Sequence, residues 1–148
     1  MVEDCRQRCE AQVGMMDTRF RANIRAMILK HHMRSPLGIS QWLNFEITMS
    51  VYVRVEQIFD HASRKRYSVI SVANVSTGVQ RQGTFTRMIR ELSTYGLPIV
   101  LENVLIPEFQ QALTERHGWE ILERGVLAGA PQSLILRNPA EGEYGKAS

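Results

Sequence analysis

The sequence predicts a single α/β (α+β) domain, and three observations lead to that prediction. A dense β-branched run from Val69 to Val75 is followed, after a short loop containing Gly83, by helical spacing that begins at Phe85. A second strand and a second helix come next, and two short apolar runs follow them. At 148 residues the chain is long enough to bury one hydrophobic core without further support.

The first predicted element is a helix from Asp17 or Thr18 to about Met33. Basic residues fall mainly off its apolar stripe, which consists of Phe20, Ile24, Met27, Ile28 and Met33. Residues 35–38, Ser-Pro-Leu-Gly, end this region. We interpret the basic side as solvated in preference to a docking face.

Strict alternation of apolar and polar residues then runs from Leu43 to Phe59. It predicts a half-buried strand, or two strands that meet at a bulge. The turn-forming stretch 60–63, Asp-His-Ala-Ser, predicts a hairpin with the strand that follows. Arg64, Lys65 and Arg66 lie at this hairpin end, where a solvated role is favoured over contact with a phosphate.

The second half of the chain alternates strands with helices. A strand is predicted at 98–104, and Pro107 is well suited to the first turn of a helix that runs to His117. Gly118 is expected to stop that helix, after which Trp119 folds back onto the core. Two closing strands are predicted at 121–122 and 133–136.

The loop before Phe85 has the features of an anion-binding site. Gln80, Arg81, Gln82, Gly83 and Thr84 connect a buried strand to the start of a helix. Unpaired N–H groups of a first helical turn, together with the helix dipole, favour a negatively charged ligand such as a phosphate. Gly83 lets the backbone approach such a ligand closely, although an ordinary connection with a glycine remains the alternative.

Composition and charge limit the classes of function. The net charge of +3 and the isoelectric point near 9.1 suit a phosphate-bearing ligand but are too small to indicate nucleic acid. No apolar run approaches a membrane span and no secretory leader is apparent, so we expect a cytoplasmic protein. Residues 1–16 are expected to form a polar extension, 17–137 the domain and 138–148 a mobile tail; Met15 or Met16 is an alternative start.

The two cysteines do not indicate a metal site. Cys5 and Cys9 lie one helical turn apart, and with His31 and His32 they have no zinc-type spacing. Reduced thiols are the favoured interpretation, and no metal is expected.

The loop and the Gly118-Trp119 pair together resemble the GNAT acyltransferase superfamily. The family loop is Q/R-x-x-G-x-G/A, and Gln80 and Gly83 match its first and fourth positions, whereas Phe85 stands where the family has a small residue. Gly118-Trp119 is similar to the Gly-Phe pair that ends the family's fourth helix. The resemblance covers about the last half of the chain. It implies a mixed, mostly antiparallel sheet flanked by helices, with strands splayed at the cofactor site.

The resemblance also implies an activity, which is transfer of an acetyl or other acyl group from acetyl-coenzyme A (acetyl-CoA) to an amine. The amine would belong to a small molecule or to a protein, and a homodimer is left open. The implied cofactor-binding residues are Val75, Gln80, Arg81, Gln82, Gly83, Thr84, Phe85 and Asn103. For Asn103, capping of the following helix is slightly favoured over contact with the pantetheine arm.

The catalytic candidates follow from the same resemblance. A backbone N–H of Val75 or Ser76 would face the thioester carbonyl, and Glu102 is the nearest candidate base, with Glu46 and Glu56 as alternatives. Thr114 occupies the position at which the family often has a tyrosine that acts as the general acid. Because a threonine hydroxyl is a poor proton donor, Tyr95, Ser133 or solvent would have to substitute. A GNAT-fold protein that binds without catalysing is the alternative function.

Overall fold

The computed structural model describes residues 18–33, 38–46, 49–77, 83–104, 107–122 and 132–139. The predicted extension 1–16 and most of the predicted tail 138–148 lie outside them. Nine helices and strands occur among the described residues. They are α1 (18–33), β1 (Ile39–Phe45), β2 (Met49–Asp60), β3 (Lys65–Thr77), α2 (Thr84–Ser93), β4 (Ile99–Val104), α3 (Pro107–Arg116), β5 (Glu120–Leu122) and β6 (Gln132–Leu136).

The six strands form one mixed sheet in the order β1-β2-β3-β4-β6-β5. Its neighbouring strands are antiparallel except for β3 and β4, which are parallel and connected through α2. A parallel pair needs a crossover, and an amphipathic helix supplies one while covering the sheet. The predicted α/β class with a mostly antiparallel sheet is confirmed.

The main core lies on one face of the sheet, between the strands and the helices. Each helix contributes to it, and α2 does so through Met88, Ile89 and Leu92, which recur at helical spacing and are fully buried. From α1 come Phe20, Ile24 and Met27. The strands contribute Leu43, Phe45, Met49, Val51, Val53, Val55, Ile70, Val72, Ile99, Leu101, Leu134 and Leu136.

Alternate residues of the same strands point to the other face of the sheet, which we call the second face. Val69, Val100, Leu122 and Ile135 form a smaller buried cluster there. Between Val69 and Ala73, β3 contributes buried residues to both faces, as its dense apolar run indicates.

The predicted strand from Leu43 to Phe59 is wrong as a continuous element. The chain reverses at Glu46, which adopts a left-handed backbone with a φ of 54°, and β1 pairs antiparallel with β2 from Phe45↔Met49 onward. Odd-numbered side chains face the core both before and after this reversal. Those of Leu43, Phe45, Met49 and Val51 are all buried. A two-residue period cannot reveal a turn that leaves the alternation in phase.

The apolar stripe predicted for α1 needs one correction. Phe20, Ile24 and Met27 are buried, but Met33 is 73% exposed and His31 takes the inward position instead. The Nε2 atom of His31 lies 3.1 Å from Ser68 Oγ. Burial is the main cause that lowers the pKa of His31, and the neighbouring His32 lowers it further, against a smaller opposing effect of Glu56.

A buried ion pair joins the β2–β3 hairpin to the end of β6. Arg137 donates from Nε to Asp60 Oδ2 at 2.9 Å and from Nη2 to Oδ1 at 3.1 Å, and Tyr67 and the Ala62 N–H also donate to this carboxylate. The bonds from Arg137, followed by those from Tyr67 and Ala62, hold the pKa of Asp60 far below its usual range despite burial. The predicted hairpin is thus confirmed, with Asp60 as a structural anchor as well as a turn residue.

The end of α3 agrees with the prediction. Gly118 has a φ of 78°, which favours glycine, and the Trp119 N–H donates to the Leu113 carbonyl at 3.3 Å. Trp119 is 2% exposed and belongs to the main core. Among the described residues, the structure contains no helix with both the length and the apolar character needed to cross a bilayer.

Candidate functional site

The parallel strands β3 and β4 pair over a short stretch, which lies in the middle of β3 and at the beginning of β4. Three residue pairs join them, from Ile70↔Ile99 to Val72↔Leu101, although β3 continues to Thr77 and β4 to Val104. No further pair joins the two strands within these described ranges. Beyond Val72 in β3 and Leu101 in β4, the two described strands are therefore not paired with each other.

Each of these strands also carries an irregularity just beyond the last pair. In β3, Asn74 and Val75 lie opposite the single residue Val51 of β2, between the pairs Ser50↔Ser76 and Tyr52↔Ala73. In β4, two residues lie opposite Ser133 of β6, between Leu101↔Leu134 and Val104↔Gln132; they are Glu102 and Asn103. Bulges bend a strand and increase its twist, so both strands change direction where their pairing ends.

Gly83 lies at the N-cap of α2 with a φ of 71°. A side chain there would be strained, and its Cβ would lie 3.3 Å from Arg87 Nη1. The first turn of α2 contains no acidic residue. Thr84 is buried, and Phe85 is half-buried and packs against the main core, so its ring is directed to the protein interior. Packing against the core therefore accommodates Phe85 at the loop position where the GNAT pattern has a small residue.

The remaining predicted cofactor residues fall into two groups. Gln80, Arg81 and Gln82 lie outside the described residues. Val75, Ser76 and Asn103 belong to the segments of β3 and β4 beyond the last parallel pair. The fold therefore brings Val75, Ser76, Glu102 and Asn103 to the same end of the parallel pair.

An ion pair that the sequence analysis did not identify lies beside Gly83. Arg87 donates from Nε to Glu46 Oε1 at 2.6 Å and from Nη2 to Oε2 at 2.9 Å, and Nη2 also donates to Thr84 Oγ1 at 3.2 Å. The hydrogen bond from Arg87 is the main cause of a lowered pKa of Glu46, and it outweighs the effect of burial. The first turn of α2 therefore lies next to the Glu46 carboxylate, which Arg87 binds through two hydrogen bonds.

A second polar cluster lies on the second face. Arg54 of β2 reaches across β3, where Nη1 lies 3.6 Å from Glu102 Oε1 and 3.6 Å from Glu56 Oε2. Ser71 beneath it donates to Glu56 Oε1 at 3.0 Å. Burial lowers the pKa of Arg54, but the charges of Glu102 and Glu56 outweigh it, and the net shift is upward. Arg54 therefore holds both candidate bases close to one another.

Aromatic side chains extend this cluster toward solvent. Tyr52 precedes Arg54 on the same face, with the guanidinium carbon 5.7 Å from its ring centroid. Trp42 lies 5.4 Å from Tyr52 between ring centroids and is 58% exposed. A nearly buried carboxylate, an arginine and two aromatic rings thus follow one another across the second face.

The candidate acids lie in different places. Ser133 lies opposite the β4 bulge that contains Glu102 and is buried. Tyr95 follows α2 just before β4 begins, at the other end of β4 from Glu102, and burial raises its pKa. Thr114 donates its hydroxyl to helix carbonyls at Gln110 and Gln111, both at 3.1 Å. Of the three, Ser133 is the one that the fold places beside Glu102.

The sequence analysis missed Arg87 and Arg54 for one physical reason. Both lie on a predicted solvent side of an amphipathic element, where a charged residue is the expected type. Their partners Glu46 and Glu102 are distant in sequence, and only the fold brings these charges together.

No group of three or more His, Cys, Asp or Glu side chains among the described residues is arranged to hold a metal ion. Cys5 and Cys9 lie outside those residues. Comparison of the chain with known protein families, with curated proteins and with solved structures finds no match.

Proposed function

We propose that this protein is an N-acyltransferase of the GNAT type, which moves an acetyl or other acyl group from acetyl-CoA to an amine. The observation that carries the proposal is the parallel pair β3–β4, which stops at Val72 and Leu101 with a bulge in each strand beyond it. Such a gap leaves backbone groups available between two strands, where an extended ligand can add hydrogen bonds.

The helix start next to this gap supports binding of the diphosphate. α2 follows β3 along the chain, and Gly83 at its N-cap adopts a conformation that brings N–H groups to an exposed turn. Phe85 packs against the main core. Gln80, Arg81 and Gln82 immediately precede Gly83 in sequence and would add contacts to the phosphates.

The residues beyond the last pair would perform the chemistry. In acyl transfer the amine nitrogen bonds to the thioester carbonyl carbon, the carbon–sulfur bond breaks, and a proton moves from nitrogen to a base while the thiolate takes one up. A backbone N–H of Val75 or Ser76 would donate to the carbonyl oxygen, where negative charge develops. Glu102 would accept the amine proton, directly or through water, and Asn103 would bind the pantetheine arm.

Three observations support Glu102 as the base in preference to Glu56 or Glu46. Glu102 lies in the bulge where β3 and β4 part, whereas Glu56 lies on β2, which is not part of the gap. Glu46 is engaged in the bidentate pair with Arg87. Arg54 Nη1 lies 3.6 Å from Glu102 Oε1 and would hold this carboxylate in position.

The acid that protonates the thiolate is less constrained. Ser133 lies opposite the Glu102 bulge and would donate or relay the proton. By resemblance, Thr114 is the counterpart of the family's general-acid tyrosine, but its hydroxyl already donates to the Gln110 carbonyl within α3. We therefore propose that Ser133 or solvent supplies this proton.

The second candidate is a GNAT-fold protein that binds acetyl-CoA or a partner without catalysis. Phe85 in place of a small loop residue and the absence of a carboxylate in the β3 sequence favour it. The two functions differ in one assay, which follows free thiol released from acetyl-CoA in the presence of a panel of small amines and amine-bearing peptides. Thiol release that depends on an amine supports the enzyme; binding of acetyl-CoA without thiol release supports the alternative.

A further inference from the structure

One edge of the sheet lacks the features that protect β-edges from pairing. β1 has a partner strand on one side only among the described residues. In an antiparallel pair every second residue of a strand directs its N–H and C=O away from its neighbour, so β1 presents a row of such groups to its outer side. Ser40, Gln41, Trp42 and Asn44 are all exposed there.

The composition of β1 increases this tendency. Its seven residues, Ile-Ser-Gln-Trp-Leu-Asn-Phe, include no charge and no proline. Natural proteins usually protect an exposed edge with lysine, proline, a bulge or a very short strand. The register of β1 with β2 is regular along its whole length, so β1 has no bulge either.

The opposite edge provides a comparison within the same molecule. β5 is three residues long, and its first residue, Glu120, is charged and forms an ion pair with Arg137. A short and charged strand is a poor template for pairing. Pairing of β1 from one copy with β5 of another, which would build an open filament, is therefore disfavoured.

We infer that β1 is an interface at which two copies of this chain pair antiparallel about a two-fold axis at Trp42, joining their sheets. Trp42 is the central residue of β1, so this register aligns all seven residues with the partner's. Ser40 would lie opposite Asn44 of the second copy, and the two Trp42 rings would meet on the second face. The absence of charge in β1 leaves no like-charge repulsion across the axis.

The occupant is a second copy for reasons of chemistry and closure. An open strand edge selects another extended strand with free backbone groups, and β1 itself is the described strand that offers them. A two-fold contact uses the same patch twice and closes after two copies. Trp42 is 58% exposed, against 42% for Phe59, and pairing would bury it against its own copy.

The test measures the mass of the full-length protein in solution by light scattering and sedimentation equilibrium over a range of concentrations. We expect a dimer that dissociates on dilution. The Trp42→Lys variant places two like charges at the axis, and we expect its dimer dissociation constant to rise by about tenfold or more. Ile121→Lys on β5 is the matched control, since Ile121 is also exposed on an edge strand, and its dimer should dissociate as the wild type does.

A cross-linking experiment locates the axis even if Trp42→Lys folds poorly. In a background with Cys5→Ser and Cys9→Ser, Trp42→Cys places two thiols directly opposite each other. Antiparallel pairs have Cα atoms about 4.5–5.5 Å apart, within the range of a disulfide. We expect a disulfide-linked dimer for Trp42→Cys and none for Ile121→Cys under the same mild oxidation. A wild-type protein that is monomeric at all concentrations, or a dimer that Trp42→Cys does not cross-link, would overturn the inference.

Discussion

Val72 on β3 lies opposite Leu101 on β4, and the described register of the two parallel strands ends with this pair. Beyond it, one residue of β2 faces two residues of β3, and one residue of β6 faces two residues of β4. The end of the pairing therefore coincides with a bulge in each of the two strands. The proposed ligand site between β3 and β4, and the charges near it, lead to testable predictions.

The conformation of Gly83 leads to a first prediction. Replacement of Gly83 by alanine should weaken acetyl-CoA binding, because a Cβ makes the left-handed backbone at this position strained. The Cβ would also lie 3.3 Å from Arg87 Nη1. The strain itself should lower the free energy of unfolding by about 1–2 kcal/mol. Titration calorimetry and chemical denaturation measure the two effects.

Gly96→Ala is the matched control for Gly83→Ala. Gly96 has a similar φ of 74° with no atom within 4 Å of its Cβ position, and it lies at the other end of α2. It should lose comparable stability without a change in acetyl-CoA affinity. Equal loss of affinity in both variants would mean that Gly83 acts only through stability.

The proposed base leads to a second prediction. Glu102→Gln removes the proton acceptor but keeps the side-chain volume, so thiol release with a competent amine should fall by about 100-fold. Glu56→Gln removes the other carboxylate that contacts Arg54 and should retain most of the rate. Loss of rate in Glu56→Gln alone would transfer the role of base to Glu56.

The ion pair beside Gly83 leads to a third prediction. Glu46→Gln removes a negative charge next to the proposed phosphate site and releases Arg87, so we expect the affinity for acetyl-CoA to rise by about threefold to tenfold. Arg87→Gln should lower it. The effect should diminish as salt is added, because it depends on charge. Unchanged affinity in both variants would show that the diphosphate does not bind near Arg87.

The buried anchor at Asp60 leads to a fourth prediction, which concerns stability. Arg137→Met leaves the Asp60 carboxylate without its main partner, and the free energy of unfolding should fall by about 3 kcal/mol. Arg21→Met is the control, because the Arg21–Glu91 pair is exposed on the arginine side and should contribute about 0.5 kcal/mol. Urea denaturation at neutral pH measures both.

The same anchor has a defined pH dependence. The pKa of Asp60 is lowered in the folded state, so its stabilisation is fully present above the unfolded value of about 4. That stabilisation is lost as the pH falls from the unfolded value toward the lowered folded pKa. The slope of stability against pH in this acid range should be smaller in Arg137→Met. An unchanged slope would exclude Asp60 as a main contributor.

Much of the fold follows from local patterns in the sequence. The spacing of Met88, Ile89 and Leu92 fixes the buried side of α2, and Gly118 with Trp119 fixes the end of α3. These predictions succeed because helical periodicity and a glycine stop depend on neighbouring residues. The Glu46 turn was missed because the alternation stays in phase across it, and His31 was missed because a histidine does not register as apolar.

The site was predictable only in part. The positions of Gly83, Glu102 and Ser76 near one end of the parallel pair follow from the order of strands and helices. The contacts of Arg87 with Glu46 and of Arg54 with Glu102 join residues of separate elements, and no sequence pattern specifies them. Likewise, the early end of the β3–β4 pairing depends on bulges opposite β2 and β6, which appear only once the register is known.

The gap between β3 and β4 is tested most directly by calorimetric titration with acetyl-CoA and, in parallel, with acetyl-pantetheine, which lacks the diphosphate. We predict saturable binding of acetyl-CoA, a matching rise in Tm, and binding of acetyl-pantetheine that is weaker by about tenfold or more. Equal affinity for the two ligands, or no binding of acetyl-CoA at millimolar concentration, would contradict a diphosphate site at the start of α2.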